Sequence, residues 1–216
     1  MKEPKARPKH FSMIREFRLA DFFTLGNAAS GMSAIFASMS FVQSHDRHDF
    51  LLAGPLLFAA LAFDALDGRI ARFRQTHSAL GRELDSLADV ISFGVAPAVM
   101  AFAAGMSTFL DRVVLVYFVV CGVSRLARYN VTAETLSAGA DKVSHFEGTP
   151  IPSSVFLVAV LTFAGLRVDG VGSERLGDDL YWGLWGSGVL ALHPFVLLFA
   201  LSGSLMISKT LRIPKI

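Results

Sequence analysis

Apolar runs of near-bilayer length restrict this chain more than any other feature. They cover about residues 22–42, 50–72, 81–104, 112–126, 151–166 and 184–207, the fifth being short. A helix needs about 20 apolar residues to cross the hydrocarbon core. No run alternates polar and apolar residues between hairpin turns, so strands are not expected. The predicted fold is therefore all-α, a polytopic membrane bundle of six transmembrane helices. Hydrophobic residues make up 53% of the chain and mean hydropathy is +0.51, too apolar for an ordinary soluble domain. No internal repeat is visible, and no nucleic-acid partner is expected.

Residues 1–20 read as a basic tail and amphipathic helix, and residues 21–216 as one transmembrane domain. Phe11, Met13, Ile14 and Phe17 interleave with Arg15 and Arg18, which suits a helix lying on an anionic membrane face. That stretch lacks a cleavable-signal pattern. Basic residues gather in the N-terminal tail, between residues 69 and 82, between 125 and 142, and at 209–215, whereas the intervening connections carry Arg47, Arg112, Arg167 and Arg175. The positive-inside rule then puts both termini on the cytoplasmic side of an inner membrane. The single cysteine, Cys121, excludes an internal disulfide and a zinc cluster.

Aspartates interrupt the second and third runs. Asp64, Asp67, Gly68, Ala71 and Arg72 follow the i, i+3, i+4, i+7, i+8 pattern of one helix face. Gly81, Asp85 and Asp89 are successive i+4 steps on the next helix. A short turn at residues 74–79 would lay the two helices antiparallel and let four carboxylates converge. An aspartate at mid-membrane costs roughly 2.5–3.5 kcal/mol, so four do not form an idle charged face. One Asp64–Arg72 pair locking the helices would leave three unexplained. An oxygen-only cluster suits hard cations such as Mg²⁺ or Mn²⁺, and two divalent ions would neutralise four carboxylates and leave field for a diphosphate.

The pattern D-x2-D-G-x2-A-R-x8-G-x3-D-x3-D, running from Asp64 to Asp89, resembles the signature of the CDP-alcohol phosphotransferases. The resemblance implies a metal-dependent transfer of a substituted phosphate. Asp64, Asp67, Asp85 and Asp89 would hold metal, and Asp89 would also be the general base. Asn27, Gly68, Ala71, Arg72 and Gly81 would line the nucleotide site. Asn27 reads equally well as an interhelical hydrogen-bonding residue. The small residues at 68, 71 and 81 also suit close helix packing. Homodimers are expected from the same likeness.

Three further stretches are Ser124-Arg125-Leu126-Ala127-Arg128-Tyr129-Asn130, His145-Phe146-Glu147-Gly148-Thr149-Pro150-Ile151-Pro152, and the C-terminal run from Leu205 to Pro214. With Ser86 to Pro97 they resemble the branch of the family that uses CDP-diacylglycerol and L-serine, forms phosphatidylserine and releases CMP. Two arginines exceed what a membrane anchor needs, and arginine binds carboxylates bidentately. Arg125 or Arg128 would meet the serine carboxylate, and Asn130 or Glu147 its ammonium. Glycerol 3-phosphate, inositol phosphate or another alcohol remains the alternative acceptor, and a cation-binding or transport protein the alternative class. The histidines show no ligand spacing and read mostly as solvent or interface residues.

Overall fold

The computed structural model describes residues 17–74, 79–137, 145–167, 183–208 and 212–214. The basic tail, most of the expected amphipathic helix, the 75–78 turn, and the acidic stretch within 168–182 lie outside these residues. Helix α1 spans Leu19–Ser44 and α2 spans Arg47–Arg74. Only His45 and Asp46 separate them, so they form an antiparallel hairpin. His45 closes α1 in the left-handed conformation (φ 55°) and donates its backbone N–H to Phe41. Phe41 and Phe50 pack at 5.1 Å across this hairpin end.

The third apolar run is built in three parts: α3, Ala79–Asp89; a π-helical turn, Val90–Val95; and α4, Ala96–Ala103. The turn starts directly after Asp89, and Pro97 explains part of its bonding. Proline has no N–H to offer the carbonyl four residues back. That carbonyl, on Phe93, accepts instead from the Ser154 hydroxyl at 2.7 Å. Gly31 of α1 faces the same turn, where a Cβ would run into Ser92, 2.8 Å from its Cα. The absence of a side chain on α1 is what lets it approach the third run this closely.

Helix α5 spans Phe109–Ser137, α6 Val155–Arg167 and α7 Val196–Ile207. The α5–α7 contact centres on the edge-to-face pair Phe118–Phe199, at 5.2 Å. Three helices, Leu19–Ser44, Arg47–Ile70 and Leu80–Ala103, are long and apolar enough to cross a membrane; Ile151–Leu166 and Val196–Ile207 are shorter apolar helices. Large apolar side chains such as Phe36, Leu87, Val116 and Phe156 are exposed on the outside of the bundle, as a lipid-facing surface requires. Among the described residues the chain is a helical membrane protein with, besides the single Trp185–Leu192 bridge, one short exception.

That exception corrects the expectation of no strands. His145–Glu147 (β1) pairs antiparallel with Arg212–Pro214 (β2), Phe146 opposite Ile213. Three-residue strands are too short to carry a period-two signal. The pairing joins two stretches that are far apart in sequence. Gly148 then turns at φ +73°, where a Cβ would stand 3.0 Å from the Leu205 carbonyl oxygen, and Thr149 donates its N–H to that oxygen at 3.2 Å.

Two helix boundaries also differ from expectation. α5 continues to Ser137, so Arg125 to Asn130 lie within a helix and do not close it. The sixth run is α-helical only from Val196, because Gly186 and Gly188 adopt positive φ and Pro194 precedes the helix. At this end of the bundle, His193 is buried and not solvent-facing. Its Nδ1–H donates to Asp111 Oδ2 at 2.6 Å and its backbone N–H to Oδ1 at 3.0 Å. Thr108 and Asp111 form a reciprocal cap at the start of α5, Thr108 N–H to Oδ2 at 3.1 Å and Asp111 N–H to Thr108 Oγ1 at 3.2 Å.

Candidate active site

The aspartates meet where α1, α2 and α3 come together. One carboxylate oxygen each from Asp64, Asp67 and Asp85 lies within 4.8 Å of the other two. Asp89, one turn along α3 from Asp85, lies close enough to Asp64 for their carboxyl groups to interact. Thus all four carboxylates converge, three as a compact oxygen cluster and Asp89 at its side. Asp67 and Asp89 are buried, each 6% exposed. Asp64 and Asp85 are half-buried.

Helix α1 supplies the polar partners. Asn27, fully buried, donates Nδ2–H to Asp89 Oδ1 at 3.2 Å. Its own backbone carbonyl accepts from Ser92 Oγ at 2.9 Å, which ties the amide to the π-helical turn. Thr24 donates Oγ1–H to Asp67 Oδ2 at 2.8 Å. Thr24 lies outside the aspartate motif and does not stand out in it. The signal was present: Asp21, Thr24 and Asn27 recur every three residues and all are buried along one stripe of α1. Asp21 itself accepts from the Arg18 N–H at 2.7 Å, at the helix start.

These donors do not satisfy the cluster. Asp85 Oδ1 is buried without a hydrogen-bond partner among the described residues. Leaving a carboxylate oxygen in a desolvated site without a counter-charge or donor is costly. An all-oxygen donor set with an unused buried oxygen has the chemistry of a Mg²⁺ or Mn²⁺ site. The residues present therefore fit a divalent metal.

Gly68 follows Asp67 on α2, and a Cβ there would meet nothing within 4 Å, so open space adjoins the cluster. Gly81 is half-buried on α3. Ala71 and Arg72 lie on α2, but their side chains fall outside the described residues. Arg125 of α5 is half-buried, close enough to Asp89 for their charges to interact, and its buried Nε has no hydrogen-bond partner among the described residues. Arg128 is exposed. Asn130 donates Nδ2–H to Ser86 Oγ at 3.0 Å and to the Glu83 carboxylate at 3.4 Å, and its Oδ1 accepts from Ser86 at 3.2 Å. Glu147 pairs by its backbone with Arg212, and its side chain falls outside the described residues.

Residues 17–200 match the model of a family described as CDP-alcohol phosphatidyltransferase. The chain is 40% identical over 209 residues to the CDP-diacylglycerol–serine O-phosphatidyltransferase of Saccharomyces cerevisiae, covering 95% of this chain and 74% of the yeast protein. It is 39% identical over 142 residues to the enzyme of that name from Helicobacter pylori, 65% of this chain and 55% of the relative. Similarity extends to the archaetidylserine synthase of Methanothermobacter thermautotrophicus, 34% over 165 residues, 75% of this chain and 65% of the relative.

Proposed function

This chain belongs to the CDP-alcohol phosphatidyltransferase family, and from that premise we propose that it is a phosphatidylserine synthase. It transfers a phosphatidyl group from CDP-diacylglycerol to L-serine and releases CMP. The observation that carries the chemistry is the cluster of Asp64, Asp67 and Asp85 with Asp89 beside it. The serine acceptor rests on the relatives' names, bacterial, yeast and archaeal alike.

Asp64, Asp67 and Asp85 would hold two divalent ions, Mg²⁺ or Mn²⁺, with Asp89 close enough to share one. Such ions, when bound, offset the charge of a diphosphate and of the departing CMP. Asp89 takes the proton from the serine hydroxyl as that oxygen bonds to phosphorus and the bond from phosphorus to the CMP oxygen breaks. Asn27 orients Asp89 for this step through the hydrogen bond to Oδ1. Thr24 does the same for Asp67. The open space at Gly68 lets the cytidine diphosphate approach the α2 backbone, and Gly81, Ala71 and Arg72 complete the nucleotide site. Arg125, facing Asp89, receives the serine carboxylate. Arg128, being exposed, has an outer role in drawing the acceptor in.

The same reading extends to the whole molecule. Residues 21–216 form one domain that crosses an inner membrane six times, by α1, α2, α3 with α4, α5, α6 and α7. Residues 1–20 lie on the cytoplasmic face as an amphipathic helix, and the site opens to that side. The protein works as a homodimer among membrane lipids.

Purified protein, labelled L-serine and CDP-diacylglycerol provide the test. Turnover should require Mg²⁺ or Mn²⁺, vanish in excess chelator and return when metal is restored. Full activity in excess chelator would rule out the metal assignment. CMP release far faster with glycerol 3-phosphate or inositol phosphate than with serine would rule out the acceptor.

A further inference from the structure

The sixth apolar run begins with a hairpin that the transfer chemistry does not use. Trp185 and Leu192 exchange both backbone hydrogen bonds, each at 2.9 Å. Between them lie Gly186 and Gly188, both at positive φ, and a short 3₁₀ turn over Gly188–Leu190. A Cβ at Gly186 would stand 2.8 Å from the Leu190 carbonyl oxygen, so glycine is what lets the chain double back. The base of the hairpin is fastened to α5. Thr108 Oγ1 donates to the Ala191 carbonyl at 2.8 Å, and Asp111 accepts both the backbone N–H and Nδ1–H of His193. Asp111 and Arg125 originate about 21 Å apart along α5, so the hairpin sits at the end of the bundle away from the aspartates.

The hairpin leaves apolar side chains outside. Leu184, Trp185, Val189 and Leu190 are exposed, Trp185 by 60% and Leu190 by 73%. No Asp, Glu, Lys or Arg occurs from residue 183 to residue 207. Length identifies lipid as the solvent of this surface. Helix α7 has 12 residues and supplies about 18 Å of a hydrocarbon core about 30 Å thick. The uncharged chain just before α7 therefore falls within the remaining depth or at its edge. Non-helical backbone is costly in hydrocarbon unless its polar groups are paired. The Trp185–Leu192 exchange pairs the base of the hairpin. A tight turn cannot pair all its backbone groups internally, so the tip belongs where water still reaches. Both conditions meet at the boundary between acyl chains and headgroups, the depth at which tryptophan concentrates.

We infer that residues 184–190 are an interfacial anchor. Trp185, Val189 and Leu190 insert among the acyl chains next to the lipid headgroups, on the membrane face away from the aspartates. Thr108, Asp111 and His193 clamp the hairpin in that pose. The anchor is independent of which alcohol the site uses.

Trp182 and Trp185 are the two tryptophans of the chain, so Trp182→Phe in the full-length protein makes Trp185 the sole reporter. The protein is reconstituted in phosphatidylcholine vesicles. Lipids brominated near the headgroup end of the acyl chain should cause a loss of Trp185 fluorescence. Lipids brominated near the chain terminus should cause less, since an interfacial side chain lies about 5–10 Å deep. Acrylamide in the water should quench Trp185 less than it quenches free tryptophan. Full quenching by acrylamide with no effect of bromine would put the hairpin in water and overturn the inference. Protection from both quenchers would put it against protein and overturn it equally. The clamp has its own readout. Thr108→Val and His193→Ala should each raise acrylamide quenching and lower bromolipid quenching, with kcat per folded molecule retained. Unchanged quenching in both overturns the clamp. If His193→Ala does not fold, Thr108→Val alone decides it. If Trp182→Phe does not fold, an environment-sensitive fluorophore on Val189→Cys in a Cys121→Ala background carries the same measurement. Wild-type protein that fails to transfer to serine would refute the proposed function and leave the quenching results standing.

Discussion

Asp111 and the four clustered aspartates lie in the same membrane bundle, and they differ in how they are satisfied. Asp111, at the start of α5, is fully buried. Its Oδ1 accepts from the His193 backbone, and its Oδ2 from His193 Nδ1 and the Thr108 backbone. Thr108 passes the network on to the Ala191 carbonyl at 2.8 Å. Every oxygen of that carboxylate has a donor from the chain itself. The Asp64, Asp67, Asp85 and Asp89 group is the reverse. Among the described residues, the hydroxyl and amide donors that reach these four carboxylates come from Thr24 and Asn27, and Asp85 Oδ1 has none. A complete network ties the start of α5 to the segment before α7. The aspartate cluster is incomplete among the described residues, as an oxygen site for a cation would be. In an apolar bundle it is the balance of donors, more than the burial of an acid, that separates a structural aspartate from a site aspartate.

The contrast is broken most directly at Asp89. Asp89→Asn should lower kcat by about 10²–10⁴-fold, the usual contribution of a general base, while CDP-diacylglycerol still binds. Its thermal unfolding midpoint in detergent should not drop, since the change removes a charge from a crowded acidic group. Near wild-type turnover would show that Asp89 is not the base. Asp111→Ala should do the opposite. It leaves His193 and Thr108 without their partner and should destabilise the protein by about 3 kcal/mol, seen as a lower unfolding midpoint, with kcat per folded molecule retained. A loss of kcat without a loss of stability would mean that the two groups do not divide as described. The finest test is Thr24→Val, which keeps the volume and removes the hydroxyl. Metal affinity, read by titrating activity with Mg²⁺, should weaken about 10–100-fold, the range for a residue that orients a ligand. An unchanged titration would assign Thr24 to helix packing alone.

Much of this was legible along the chain because helix faces are local. The spacing of Asp64, Asp67, Asp85 and Asp89 implies convergence once the two runs are helices that meet. The positions of the first three long apolar helices likewise followed from apolar length. Other features involve partners far apart in sequence. Asn27 had two readings of equal weight until the α1–α3 register brought it to Asp89. Arg125 and Arg128 were indistinguishable as a motif, and the packing of α5 on α3 half-buries one beside Asp89 and leaves the other exposed. The break in the sixth run was written in Gly186, Gly188 and Pro194, but its hydrophobicity masked it.

By itself, then, the sequence determined that this chain is a helical membrane protein carrying a four-aspartate face, because hydrophobic length and i, i+3, i+4 spacing act within one segment. The tertiary structure alone decided which donors meet those aspartates, that His193 pairs with Asp111, and that residues 145–147 and 212–214 make a ribbon. The physical reason is register. How far one helix slides or turns against the next is set by the close approach of small residues such as Gly31 and by hydrogen bonds such as Ser154 to Phe93, and both require two distant segments to be present together.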